Sequence, residues 1–158
     1  MKAAFDLLHA TRKLLVKSTS ALNITQLNMI PEGFNNSIAW NIAHILVTQQ
    51  LLHYKLSGKD LLLDDTFVDR FRKGTKASSG LTKEEWETCL KLLPSLAKEL
   101  ERDYFENKFL TYTTYPTSYG YKIDTIEDAI QFNNLHEALH LGYIMSMKRS
   151  LNSNREAH

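Results

Sequence analysis

The chain has 158 residues, which is the length of one ordinary domain. Its 19 Lys and Arg residues nearly balance 18 Asp and Glu residues, so the net charge of +1 excludes the strongly basic class of nucleic-acid and anionic-membrane binders. The single cysteine, Cys89, excludes an internal disulfide framework and fits a reducing compartment. The six histidines are the unusual feature, because imidazole is the commonest metal-binding side chain.

Hydrophobic periodicity predicts four long helices, over residues of about 2–21, 37–57, 82–107 and 124–151. Helices of this number and length predict an all-α four-helix bundle, with a long connection between the second and third helices. We expect a single domain over residues 1–151 and a frayed C-terminal tail over 152–158.

Local signals predict where these helices begin and end. Thr82 and Glu85 have the spacing of a capping box at the start of the third helix, and Gly58 follows the second helix, where a C-terminal glycine belongs. Pro94 is expected to kink or split the third helix. A short helix over 64–71 and a surface loop over 73–80 are predicted in the long connection.

The start of the chain lacks a secretory apolar segment, and no run approaches the roughly 18 apolar residues that a membrane span needs. We therefore expect a cytoplasmic protein with neither a membrane nor a nucleic acid as partner. The second predicted helix is apolar on almost every side, with Trp40, Ile42 and Leu52 on different faces. Deep burial within one chain and a homodimer contact both explain that pattern, and the sequence leaves both open.

His136 and His140 lie one turn apart on the last helix, close enough to share one ion. At about 100° per residue they share the apolar stripe of Phe132 and Met147, so both are predicted to point into the bundle. Two buried imidazoles are unfavourable unless each is hydrogen-bonded or coordinating. A bound metal ion would satisfy both of them.

His44 is the third candidate ligand, because it shares an inward face with Trp40 and Leu51. Three histidines suit zinc or nickel, with manganese or iron as alternatives, and they leave coordination positions open. His53 lies about 180° from His44 on the same helix and is predicted to be a surface or interface residue. The other two histidines are predicted to be non-ligands: His9 and His158.

Residues 136–140 also spell the HExxH signature of zinc peptidases, in which Glu137 would be the general base. The downstream extension does not match, because Gly142 and Lys148 stand at the wrong spacings, so we discount a peptidase. Glu137 is interpreted either as an orienting residue or base at the edge of the site, or as a surface charge. Asn133 is a comparable orienting candidate.

Two motifs, Trp40 to His44 and His136 to Gly142, resemble those of the DinB/YfiT-like superfamily in their order and spacing. The resemblance covers most of the chain and implies a four-helix bundle that binds a divalent metal through His44, His136 and His140. Many members have Gln where this chain has Tyr143, so a polar role at that position does not carry over. The superfamily includes thiol-dependent transferases and metal-dependent hydrolases.

We therefore expect a metal-dependent enzyme of the hydrolase or low-molecular-weight-thiol transferase type, acting on a small molecule. The alternative is a non-catalytic bundle whose histidine cluster is structural or vestigial. The tyrosine-rich segment Tyr112–Tyr121 is interpreted as a plug at the end of the core, with a lid over the metal as the alternative. Cys89 is predicted to be a small buried hydrophobe and not a nucleophile.

Overall fold

A computed structural model describes residues 1–77 and 80–156 of the chain, with side chains up to residue 151. Six α-helices occur in the described part, together with one short 3-10 turn and one hairpin of two-residue strands. The helices are α1 (Lys2–Thr19), α2 (Ile24–Asn28), α3 (Ile38–His53), α4 (Asp65–Phe71), α5 (Lys83–Phe105) and α6 (Ile126–Glu156). The 3-10 turn is Lys55–Ser57, and the antiparallel hairpin pairs β1 (Tyr115–Pro116) with β2 (Lys122–Ile123).

The four long helices α1, α3, α5 and α6 form the predicted bundle. Helix α1 packs against α5 and α6, and α3 packs against the same two helices, so α1 and α3 lie diagonally across the bundle. The connection between α3 and α5 is long, as predicted, and it contains α4. Because α4 packs against α3, this connection covers one side of α3.

The predicted boundary signals are largely confirmed. Thr82 Oγ1 accepts a hydrogen bond from the Glu85 amide at 3.1 Å, and the Glu85 carboxylate accepts one from the Thr82 amide at 2.9 Å. The second helix was predicted to run to residue 57, but α3 ends at His53, and Gly58 ends the 3-10 turn that follows. Its φ of +68° is a left-handed conformation that glycine adopts without steric cost. Helix α5 continues through Pro94 as one helix, so the predicted split does not occur.

Helix α2 and the end of α6 differ from the sequence prediction. Helix α2 was not predicted, because five residues are too few for a helical period to show. Helix α6 extends to Glu156, past the predicted end at Leu151, whereas residues 157–158 of the expected tail lie outside the described residues. Residues 78–79 of the predicted surface loop also lie outside them.

Helix α3 is buried on almost every side within this one chain. It contacts α2, α4, α5 and α6, and residues on opposite faces such as Ile38 and Val47 are both buried. Burial within the chain therefore accounts for the apolar circumference of α3, and a homodimer stays a prediction. Among the described residues, no helix is both long and apolar enough to cross a membrane.

A buried ion pair joins the four long helices at the centre of the bundle. Arg12 of α1 is 1% exposed and donates to both carboxylate oxygens of the fully buried Glu137 of α6, at 2.7 and 3.2 Å. The same guanidinium donates to the Leu93 carbonyl of α5 at 2.7 Å and to Gln49 Oε1 of α3 at 3.1 Å. The Gln49 amide in turn donates to the Leu96 carbonyl at 2.9 Å. Each of the four long helices thus contributes a partner to this network.

Replacing Arg12 with Met should lower the free energy of unfolding by about 3–5 kcal/mol, because Glu137 would remain buried without its counter-charge. Urea denaturation followed by circular dichroism measures this change. Arg72→Met is the matched control, since Arg72 forms an exposed ion pair with Asp69, and it should have little effect. Equal destabilisation by the two substitutions would contradict the central role of the buried pair.

Candidate metal centre

Three imidazoles meet between α3 and α6. His44 comes from α3, and His136 and His140 come from successive turns of α6. One ring nitrogen from each lies within 4.8 Å of those of the other two, and the Nε2 atoms of His136 and His140 are 3.1 Å apart. The structure therefore brings together all three histidines predicted as ligands, in a cluster that could hold a metal ion.

The orientation of His44 is set by the end of α4. His44 Nδ1 lies 2.7 Å from the Phe71 carbonyl, which can only accept, so Nδ1 carries the proton and Nε2 has a free lone pair. Phe71 is the last residue of α4, where carbonyl groups have no partner within the helix. The Trp40 ring stacks on His44 with centroids 4.6 Å apart, and the Thr48 hydroxyl lies 3.2 Å from Nε2.

The orientation of His140 is set in the same way by an amide side chain. The amide nitrogen of Asn41 donates to the Ser37 carbonyl at 2.8 Å, which leaves its Oδ1 as an acceptor. His140 Nδ1 lies 2.7 Å from this Oδ1 and donates to it, so His140 Nε2 also has a free lone pair. Hydrogen bonds of this kind fix the tautomer and ring orientation of metal-binding histidines.

His136 has no such support. Its Nδ1 atom is buried and has no hydrogen-bond partner among the described residues. Its Nε2 faces His140 Nε2 at 3.1 Å, close to the separation of about 3.3 Å between two nitrogens that bind one tetrahedral zinc at 2.0–2.1 Å. In the metal-free chain the His136 Nε2–H can donate to His140 Nε2, whereas a shared ion would bind the lone pairs of both nitrogens, so the donor set fits a divalent metal with nitrogen ligands.

Burial keeps these imidazoles neutral. Together with the neighbouring histidines of the cluster, it lowers the pKa of His136 to about 2 and that of His140 to about 4. Burial also lowers the pKa of His44, although the hydrogen bond to Phe71 partly opposes this shift. The neutral form is the form that binds metals, so near neutral pH no proton has to leave before an ion binds.

The other histidines are not part of this cluster. The Nε2 of His9 on α1 lies 2.7 Å from a carboxylate oxygen of Glu101 on α5. His53 was predicted to be a surface or interface residue, and that prediction is wrong: its side chain is fully buried, with Nδ1 2.7 Å from the Gln49 carbonyl. Because α3 is surrounded on every side, the face opposite His44 is also interior. His158 lies outside the described residues.

The interpretation of Glu137 as a surface charge is also wrong, because its side chain is completely buried. One carboxylate oxygen accepts from Arg12 at 2.7 Å and from Asn133 at 2.8 Å, and the other accepts from Arg12 at 3.2 Å. Asn133 thus contacts Glu137. These contacts give Glu137 a positioning role within α6, next to His136 in the chain.

A cavity of about 680 Å³ opens beside the cluster, with His44 and His136 in its wall. Tyr115 and Tyr119 from the tyrosine-rich segment line the same cavity. Tyr112 of this segment packs on the core and donates to the Leu52 carbonyl at 2.9 Å. Tyr112 therefore packs on the core, as predicted for a plug, whereas Tyr115 and Tyr119 line the cavity wall. A lid over a metal stays a prediction.

Cys89 is buried, as predicted, and burial raises the pKa of its thiol to about 12, so the thiol is not ionised near neutral pH. Tyr143 is half exposed and packs edge-on against Phe34, with ring centroids 5.0 Å apart.

Two supporting groups of the cluster were missed by sequence reasoning. Asn41 carried a usable signal, because it is a polar residue in an apolar helix, one turn before His44 on neighbouring positions of the same face. No sequence signal indicated the Phe71 carbonyl, because any residue supplies a backbone oxygen. Arg12 was also missed, although it is a charged residue one turn after the core residue Leu8.

Comparison with protein families matches residues 7–144 to the DinB superfamily, a range that includes all three clustered histidines together with Arg12 and Glu137. No curated protein sequence matches the chain.

Replacing Asn41 with Ala should lower the affinity for zinc by roughly 10–100-fold, because His140 would lose the acceptor that fixes its tautomer. Competition with a chromophoric chelator measures this change. Asn134→Ala is the matched control: Asn134 is also buried, but it donates to the Ala4 carbonyl at 2.8 Å and not to a histidine. Equal affinities for the Asn41 and Asn134 variants would refute the positioning role.

The buried neutral His53 should make the stability of the protein pH-dependent. Its pKa is lowered to about 4 by burial, from 6.5 in an exposed chain, so protons favour the unfolded state. This contribution is fully present above about pH 6.5 and is lost as the pH falls toward 4, for a total of about 3 kcal/mol.

The measurement is urea unfolding of metal-free wild-type and His53→Gln proteins at several pH values between 4 and 7. The wild-type free energy of unfolding should fall more steeply toward acid, because only the wild type carries this buried imidazole. Parallel curves for the two proteins would show that His53 is protonated equally in the folded and unfolded states.

Proposed function

Because the chain belongs to the DinB superfamily, we propose that it is a divalent-metal-dependent enzyme with His44, His136 and His140 as ligands. The reaction is of the hydrolase or low-molecular-weight-thiol transferase type. The observation that carries the proposal is the convergence of three neutral imidazoles, within 4.8 Å of one another, at the wall of a cavity.

The ligand set favours zinc or nickel, with manganese or iron as less well-matched alternatives, because imidazole suits borderline divalent ions. Such an ion, when bound, supplies Lewis acidity that lowers the pKa of a water molecule or thiol toward neutrality. Three protein ligands, in place of the four of a closed structural site, leave room for such a group.

The chain's own residues have separate tasks in this proposal. Phe71 and Asn41 hold the protons of His44 and His140 on Nδ1, which directs both Nε2 atoms toward the cluster. The Thr48 hydroxyl lines the cavity beside His44 and can donate a hydrogen bond to a bound substrate. The stacked Trp40 ring restrains His44 and excludes water from its face.

The HExxH peptidase mechanism gains no support from the site. It needs a glutamate that can accept a proton beside the ion. Both oxygens of Glu137 are hydrogen-bonded, and their charge is compensated by Arg12. We therefore do not propose a peptidase.

Metal analysis of protein purified without a nickel column tests the proposal. We expect about one divalent ion per chain in the wild type, and loss of most of it in His140→Ala, which should remain helical by circular dichroism. His9→Gln is the matched control, because His9 contacts Glu101 far from the cluster in the chain, and it should retain the metal. A wild-type protein with only trace metal, after incubation with zinc, would overturn the proposal.

A thermal-shift series on the same proteins distinguishes the reaction types. A ligand at 100 times its dissociation constant stabilises by about 2.7 kcal/mol, or roughly 5–10 °C for a domain of this size. A thiol transferase should show this shift with glutathione or a bacillithiol-like thiol in the zinc-loaded wild type and not in His140→Ala. A zinc shift without any thiol shift would favour the hydrolase type, and no shift with either would favour the non-catalytic bundle.

A further inference from the structure

The cavity beside the histidines has a distinctive charge. Three cationic residues line it, Lys55, Arg72 and Lys73, and the only carboxylate among its lining residues is Asp69. The net charge of +2 from these four groups exceeds the +1 of the whole chain. The lining of this cavity is therefore net positive.

Two of these cations are available to a ligand. Arg72 already donates to Asp69 at 3.1 Å, in an exposed pair. Lys55 and Lys73 are exposed and form no ion pair with any residue that the structure describes. An anion that entered the cavity would therefore meet two uncompensated ammonium groups.

The remaining wall of the cavity is largely apolar. Leu51, Val68 and Phe132 contribute aliphatic and aromatic surface, and the half-exposed ring of Tyr119 packs against Phe132 with centroids 5.7 Å apart. A volume of about 680 Å³ lies in the range of cavities that enclose small organic molecules. Apolar side chains confer affinity, and a few charged groups select among ligands.

We propose that this cavity binds a small organic anion with an apolar body, whose negative group is held by Lys55 and Lys73. Its apolar part packs on Leu51, Val68 and Phe132, and His44 and His136 lie in the same wall. The inference rests on the proposed function, for which it names the substrate class: small amphipathic acids in preference to neutral or cationic molecules.

Octanoate and octanamide are suitable probes, because their chains have the same length and only octanoate is charged. Protein treated with EDTA is used first, so that the carboxylate cannot bind a metal in place of the lysines. Isothermal titration calorimetry at low ionic strength should show octanoate binding roughly three- to tenfold more tightly than octanamide. Added salt should reduce this ratio, because both ammonium groups are exposed.

Amino-acid substitutions test whether Lys55 and Lys73 cause the preference for octanoate. In Lys55→Gln/Lys73→Gln the ratio should fall to about one, whereas the matched control Lys59→Gln/Lys76→Gln removes two exposed lysines outside the cavity lining and should keep the wild-type ratio. Phe132→Ala should weaken both probes by a similar factor, because it removes apolar contact without changing charge. Circular dichroism of each variant verifies folding, and the wild-type ratio and its salt dependence test the proposal without any variant.

A wild-type ratio near one, or a ratio that the Lys55 and Lys73 substitutions leave unchanged, would overturn the proposal. Its failure is distinguishable from failure of the proposed function, because the probes are measured without metal. A metal-binding protein with no preference for octanoate retains the metal centre and loses the substrate class. A preference for octanoate in a protein that never binds metal supports the anion site and removes its role in metal-dependent catalysis.

Discussion

The ion pair between Arg12 and Glu137 is the interaction on which the arrangement of the bundle depends. The Arg12 guanidinium reaches Glu137 of α6, Gln49 of α3 and the Leu93 carbonyl of α5, so one side chain of α1 bonds to the other three long helices. Removing these charges from water costs several kcal/mol per ion, and only a nearly complete set of hydrogen bonds offsets that cost. Sliding or rotating any of the four helices would leave a buried charge without a partner, so the pair favours one arrangement over its neighbours.

The same pair positions the three clustered histidines. With Glu137 directed at the centre of the bundle, the preceding His136 lies about 100° around α6 and His140 about 60° around it, both on the same side. That side faces α3, where His44 and Asn41 lie. A rotation of α6 by one residue would turn both histidines away from α3 and separate them from His44. The stability of the core and the geometry of the cluster therefore depend on one rotational setting.

Hydrophobic periodicity predicted the four long helices. The angular position of each side chain around its helix then predicted that the three histidines converge. The hydrophobic periodicity of a helix does not show which other elements pack around it. His53 was misplaced because the face opposite His44 was taken as exterior, although an all-round apolar helix has no exterior. Glu137 was misplaced because its partner Arg12 is 125 residues away, and no local pattern links the two. The tautomer of His44 depends on the Phe71 carbonyl, whose position is set by how α4 packs on α3.

Burial has two opposing effects at the cluster. It keeps the imidazoles neutral, and it leaves a nitrogen of His136 without a hydrogen-bond partner in the described part of the chain. Desolvation keeps His136 and His140 neutral, so that lone pairs are available without competition from protons. The same desolvation makes the buried Nδ1 of His136, which has no partner among the described residues, unfavourable in the metal-free chain. The Nε2–H of the same ring can donate to His140 Nε2 at 3.1 Å, which joins the two rings directly. Asn41 also holds His140, and Arg12 and Glu137 hold α6, so contacts in the core keep the three histidines in a cluster that could hold a metal ion.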